Sequence, residues 1–228
     1  MLIGRGLIAS TFKHYSDNSE VIVFASGVSN SGESNVAEYE REFKLLQQYV
    51  SSYSKLIYFS TCSVLDDSLK ESAYIRHKLS IEKYISENFS SFIIFRLPIV
   101  VGNNTNPFTL TNFLFNKIKN NEKFTLYDRA HRYLMDIDDL GYLLSNIIDI
   151  GKFDNKILDI CFNNRISVLE IVAIFEKIMN KKALYIIKES GSSYTPNNIE
   201  FMNYLKEVNF QIQPTYNNNV IAKYYSYR

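Results

Sequence analysis

Short continuous apolar runs at positions 1–3, 21–25, 56–60 and 92–96 alternate with stretches in which apolar residues recur every three or four positions. Runs of this length without polar alternation fit strands buried on both faces, as in a parallel sheet covered by helices. The amphipathic stretches between them predict helices over 7–15, 35–50 and 73–88, the last carrying Leu79, Ile81, Tyr84 and Ile85. The resulting βαβαβαβ order predicts a doubly wound α/β fold with right-handed crossovers and a ligand crevice at the carboxyl ends of the strands.

Beyond residue 96 the texture changes to Pro98, Asn103, Asn104, Asn106 and Pro107. The pattern then predicts a helix over 108–119, a strand over 124–127, a helix opening at Asp138 and Asp139, and a strand over 156–161. A helix over 167–179 follows, with Ser167 as its cap and Glu170 completing a capping box. From residue 185 the chain is polar, Asn-rich and weakly periodic. With no internal repeat and no Gly/Ser linker, two interwoven lobes are expected: a core of 1–102 joined by 132–161, and a small substrate lobe of 103–131 and 162–228.

A chain of 228 residues with 46% hydrophobic content can bury a core. Its 25 basic and 24 acidic residues give no basic face for a nucleic-acid partner. Two cysteines, Cys62 and Cys161, form no disulfide framework and have no zinc-like spacing, so no metal is expected and the thiols read as reduced, in a cytoplasmic protein. The first twelve residues lack a basic leader and a long apolar stretch, so neither a signal peptide nor a membrane partner is expected.

The candidate chemistry begins at Gly4-Arg5-Gly6-Leu7-Ile8-Ala9, a G-x-G-x-x-A string between the first strand and the first helix. Its first Gly permits a tight turn, its second lets backbone approach a pyrophosphate, and the small Ala9 lets helix and strand pack closely. A turn that needs small residues only for packing gives the same string. The acidic residue that normally follows about 20 positions on is missing, because the next run ends Phe24-Ala25-Ser26-Gly27. Arg5, Lys13 and His14 suit a 2′-phosphate or a solvated surface equally. Further on, Tyr74 and Lys78 form a Y-x-x-x-K pair one helical turn apart, where an ammonium favours phenolate over a phenol of ordinary pKa ~10. Thr61, at the end of the preceding buried run, supplies a hydroxyl for an oxygen shared with Tyr74.

Taken in order, GRGLIA, VIVFASG, YFSTCSV, YIRHK with Glu82, RLPIVVG and RYLMDIDDL resemble the extended short-chain dehydrogenases/reductases that act on nucleotide sugars. The resemblance runs from Met1 to about Asn180 and implies a Rossmann-like fold with NAD or NADP as cofactor. It assigns catalysis to Thr61, Tyr74 and Lys78. Cofactor contacts carry over to the Gly4–Ile8 turn, to Ala25, Ser26 and Gly27 over a ribose, to Ser60, Tyr74 and Lys78, and to Leu97, Pro98 and Ile99 beside the nicotinamide. Substrate contacts carry over to Thr61, Cys62, Ser63, Asn103, Asn106 and Arg132. The implied assembly is a homodimer through the helices at 35–50 and 73–88.

The departures from the family pattern change the picture. A βαβ piece is missing between the first helix and Val21. Glu38 stands where the family commonly has Asn, unless a small gap shifts that register. Cys62 and Ser63 replace the Asp-Glu pair of dehydratases, which argues against dehydration. Cys62 falls one residue short of the family's epimerase cysteine and reads as a small buried residue, while His77 reads as surface and Cys161 as core. Asp136, Asp138 and Asp139 read as helix N-terminal chemistry. The implied activity is NAD(P)-dependent reduction of a nucleotide-sugar ketone at C4. The alternatives are a C4 epimerase with the same triad and a binding module without turnover.

Overall fold

The computed structural model describes residues 1–191 and 193–226. In chain order the elements are β1 (Leu2–Ile3), α1 (Leu7–Thr11), β2 (Val21–Phe24), α2 (Val36–Gln47), β3 (Lys55–Thr61), α3 (Ala73–Asn88), β4 (Phe92–Leu97), β5 (Ile99–Val101), α4 (Leu110–Lys119) and β6 (Phe124–Tyr127). They continue as β7 (His131–Arg132), β8 (Leu134–Asp136), α5 (Ile137–Asp149), β9 (Lys156–Asp159), β10 (Ile166–Ser167), α6 (Val168–Met179), β11 (Tyr185–Lys188), α7 (Ile199–Glu207) and α8 (Tyr216–Tyr225). Two compact units divide them: residues 1–97 with 137–160, and residues 98–136 with 161–226.

The first unit is built on a parallel sheet in the order β1-β2-β3-β4-β9. This is the parallel α/β sheet that the apolar runs predict, and it is Rossmann-like as the family resemblance implies. Alternation along the strands sends Ile22, Phe24, Leu56, Tyr58 and Ile94 to one face, where Leu46 of α2 and Ile81 and Ile85 of α3 cover them. On the other face Phe12, just beyond α1, stacks on Phe59 with ring centroids 5.3 Å apart. Burying that ring turns the chain out of α-geometry at Phe12, so the helix expected over 7–15 becomes the five-residue α1 and a 3₁₀ turn at Lys13–Tyr15. No strand intervenes between α1 and β2, which leaves β1 at the sheet edge beside β2.

Local caps fix the helices that carry the site. Asn35 accepts the Ala37 amide at the start of α2, and Ser72 accepts the Ile75 amide at the start of α3. The Ser167–Glu170 capping box opens α6 as its spacing predicts.

In the second unit β5 pairs with β8, β6 with β11, and β7 with β10. Pairing of β5 with β8 explains why 98–102 and 132–136, which the hydrophobic pattern assigns to the core, belong to this unit. Its core gathers Leu114, Phe115, Ile171, Phe175, Val220, Ile221 and Tyr225. The weakly periodic tail therefore contains two helices, α7 and α8, that pack through aromatic rings: Phe162 stacks on Phe201 at 5.9 Å, and Tyr225 lies 5.0 Å from Phe175. Asp136 ends β8 immediately before α5, and Lys223 and Tyr224 donate to it at 2.7 and 2.6 Å. Asp138 and Asp139 do lie in the first turn of α5. Among the described residues there is no group of potential ligands that could hold a metal ion, and no helix long and apolar enough to cross a membrane.

Two glycines of the G-x-G string answer to different demands. Gly4 sits at φ +130°, and a side chain there would run into the carbonyl of Ala25, whereas a Cβ on Gly6 would meet no atom within 4 Å. Gly4→Ala is expected to lower unfolding free energy by roughly 2 kcal/mol or more in urea titration, while Gly6→Ala stays within about 1 kcal/mol.

Candidate active site

Strand β3 delivers Thr61 to its carboxyl end, where the chain turns into a 3₁₀ segment at Cys62–Leu65. The Thr61 hydroxyl oxygen accepts the Ser63 amide at 3.1 Å, and its side chain is also hydrogen-bonded to Tyr74. Tyr74 lies in the first turn of α3 and Lys78 one turn later, both buried. Lys78 Nζ stands 6.0 Å from the centroid of the Tyr74 ring. The structure thus brings Thr61, Tyr74 and Lys78 together at one end of the sheet.

The charge on Lys78 is already taken up. Glu42 of α2 is fully buried, and its Oε1 accepts Lys78 Nζ at 3.1 Å and the Tyr58 hydroxyl at 2.5 Å. Lys78 also donates to the Tyr58 oxygen at 2.9 Å. On the other oxygen, Oε2 accepts the Val28 amide at 2.7 Å and lies 3.0 Å from His77 Nε2. Burial pushes the Glu42 carboxyl up, but the Lys78 charge and the hydrogen bonds from His77, Tyr58 and Val28 hold it far below the usual carboxylate range.

The cluster brings in Glu42, which sequence reasoning did not single out, whereas Glu38 pairs with Arg41 at 3.0 Å near the surface. One expectation is corrected. His77 is not a surface residue: its side chain is only 9% exposed, and its ring lies 4.7 Å from that of Tyr39. Glu42 was legible as a polar residue inside the buried stripe of α2, three positions after Tyr39 and four before Leu46.

A second correction concerns Tyr74. Spacing alone predicts that Lys78 lowers its pKa, yet burial and the Glu42 charge push the Tyr74 phenol above its ordinary value, with the Thr61 hydrogen bond opposing them.

Around this centre the loop after β2 packs on the Gly4 turn. The Ala25 amide donates to the Ile3 carbonyl at 2.7 Å, and Arg41 donates to Ser26 at 3.1 and 3.3 Å. Gly27 lies over the ion pair so closely that a Cβ would come within 2.7 Å of Lys78 Nζ. Arg5 and Gly6 are exposed, Leu7 and Ile8 half-buried. Leu97 and Pro98 are buried, and Ile99 is half-buried.

Other assignments shift. The Ser60 hydroxyl donates to Glu82 at 2.6 Å beside the Glu82–Arg96 ion pair. Cys62 is fully buried with its thiol donating to the Arg96 carbonyl at 3.1 Å, so it is a core group and not a substrate contact. Ser63 is half-buried.

Asn103, Asn106 and Arg132 belong to the second unit. Asn106 Oδ1 accepts the Phe108 amide at 3.0 Å, while Asn103 is exposed. Arg132 lines a cavity of about 360 Å³ with Phe113, Phe124 and Tyr127. Those rings escape sequence reasoning because they lie on three faces brought together only by the pairing of β6 with β11 and the packing of α4.

No protein-family model matches the sequence, and no curated protein does. Solved structures do match in fold. The enzyme WbmH of Bordetella bronchiseptica, in complex with NAD+, superposes with TM-score 0.71 at 15% identity over 96% of this chain and 79% of that one. The UDP-glucuronic acid 4-epimerase of Bacillus cereus, in complex with UDP-glucuronic acid and NAD, gives 0.68 at 18% identity over 98% and 79%. RMD of Pseudomonas aeruginosa, complexed with NADPH, gives 0.67 at 10% identity over 100% and 99%. At these identities the likeness is one of fold, and it is the fold that the ordered motifs predict.

Removing one partner of a buried ion pair costs roughly 3–5 kcal/mol, so Glu42→Gln is expected to lose stability of that order at neutral pH. Because the folded pKa of Glu42 lies below its unfolded value, the stabilisation is complete above about pH 5 and is lost as pH falls through the carboxylate range toward the folded value. The gap between wild type and Glu42→Gln in chemical denaturation should therefore close in acid.

Proposed function

We propose that this chain is an NAD(P)-dependent oxidoreductase that reduces a keto group, at C4, of a nucleotide-activated deoxysugar in surface-polysaccharide synthesis. The reading is carried by one observation: a buried Tyr74, hydrogen-bonded to Thr61, beside a Lys78 whose charge Glu42 takes up. A reductase needs a proton donor at that position. An epimerase of the same triad would begin with Tyr74 as a base, and net consumption of cofactor separates the two.

The residues present fit a dinucleotide. Backbone at Gly6 has open space before it, and the neighbouring loop 25–27 is braced against the Gly4 side of the turn. When bound, the nicotinamide supplies the hydride; the chain supplies position and protons. Gly4, Arg5, Gly6, Leu7 and Ile8 would hold the phosphates, with Ala25, Ser26 and Gly27 against a ribose and Leu97, Pro98 and Ile99 as the wall. Thr61 orients the substrate oxygen, and Tyr74 Oη donates its proton to it. Lys78 acts through the Tyr58–Glu42 network that encloses Tyr74. In the second unit Arg132 supplies a cation for a diphosphate beside the aromatic cavity, with Asn103 and Asn106 nearby in sequence as further polar contacts. That the structural neighbours hold NAD+, NADPH and UDP-glucuronic acid supports this substrate and cofactor class.

The proposal includes a cytoplasmic protein, in keeping with two buried free thiols. It also includes a homodimer through α2 and α3. The outward faces of these helices carry the exposed pairs Lys44–Glu40 and Lys83–Glu87, with Val36 and Leu79 as exposed apolar residues. So polar a face supports a concentration-dependent dimer, and light scattering over a dilution series is expected to show the mass falling to that of the monomer; a fixed monomer mass would count against it.

The function is tested by calorimetric titration with NADH and NADPH, after absorbance and mass spectrometry for copurified cofactor. One of the two is expected to bind and to be consumed stoichiometrically with a nucleotide 4-keto-6-deoxysugar, and Tyr74→Phe to slow that consumption by about 10²-fold or more. Interconversion of two sugars without net cofactor turnover would turn the assignment to an epimerase. A wild-type protein that neither binds nor retains a dinucleotide would leave a module without turnover.

A further inference from the structure

Glu42 joins elements that carry both ends of the proposed cofactor site. One oxygen holds Lys78 and, through it, the helix of Tyr74; the other holds the Val28 amide at the end of loop 25–28. That loop is tied to the Gly4 turn by the Ala25 amide on the Ile3 carbonyl and by the close approach of Gly4 to Ala25. Gly27 seats directly on Lys78 Nζ and Glu42 Oε1, so a side chain there would push on the ion pair. The four groups that face the carboxylate come from three segments: Lys78 and His77 from α3, Tyr58 from β3 and the Val28 amide from the loop. Among the described residues β1 has β2 on one side and no strand on the other, so the Gly4 turn depends on its contacts with loop 25–28.

We propose that Glu42 is a positioning residue that mechanically couples the proton-transfer helix α3 to loop 25–28 and the Gly4 turn, holding the dinucleotide site preformed beside a two-residue edge strand. This deepens the oxidoreductase reading and rests on it for the identity of the ligand. A preformed loop adds affinity by removing an ordering cost at binding. Glu42 touches neither substrate nor cofactor and acts through Lys78 and the backbone of Val28.

The test is amide hydrogen exchange read residue by residue in the ligand-free protein, alongside calorimetric titration with NADH and NADPH. In Glu42→Gln the Val28 and Ala25 amides are expected to exchange at least about tenfold faster, while core amides of α3 at Ile81 and Ile85 keep their protection. Dinucleotide affinity is expected to weaken about tenfold, the loss of one favourable hydrogen bond's worth of ordering. Should Glu42→Gln fail to fold, the double variant Glu42→Gln with Lys78→Met removes both charges together and is expected to fold with the same unprotected loop. Unchanged exchange at Val28 and Ala25 in a folded variant would overturn the coupling. If the wild type binds neither dinucleotide while those amides still respond, the coupling stands and the proposed function falls.

Discussion

A buried carboxylate beside a buried ammonium is costly to assemble, because both ions leave water, and the cost is offset only when geometry is good and every remaining hydrogen-bonding site is filled. Glu42 and Lys78 meet that condition with Tyr58, His77 and the Val28 amide as the supporting groups. The arrangement constrains much else. It leaves little room for a side chain at position 27, turns His77 inward, ties α2 to α3 and β3, and places a negative charge near Tyr74 that opposes phenolate.

This also accounts for how a shortened sheet keeps its order. β1 is a two-residue edge strand, with its outer side unprotected by any further strand. Its hold on the sheet is the pairing with β2 and the contact of the Gly4 turn with Ala25, and the loop that follows Ala25 is fixed from below by Glu42. A short edge also offers little template for pairing with another chain.

Much of the first unit was legible from residue pattern because its strands are aliphatic and fully buried, giving apolar runs that no other element produces. The carboxyl-terminal part hid its helices because α7 and α8 pack with tyrosine and phenylalanine among asparagines, so their apolar faces do not stand out by aliphatic periodicity. At the site, spacing correctly joined Tyr74 to Lys78 and placed Thr61 near them, since those relations follow from one helical turn and one strand end. What spacing could not give was the state of the pair. Whether Lys78 polarises Tyr74 depends on a carboxylate 36 positions away, and neither the orientation of Ser60 toward Glu82 nor that of Cys62 toward the Arg96 carbonyl is encoded locally.

The interleaving of the two units bears on how the chain matures during synthesis. The face of the central sheet that carries Ile93 and Phe95 is completed by α5, whose Leu140, Leu143, Leu144 and Ile147 are fully buried, and its edge is closed by β9 at residues 156–159. The second unit begins at residue 98 but draws Val220, Ile221 and Tyr225 into its core. Neither unit can seal when its opening segment leaves the ribosome. Aliphatic surface of the sheet waits uncovered until α5 and β9 follow at residues 137–159, and the second unit is completed only by α8, which makes the nascent chain a natural client for chaperones that shield apolar sheets.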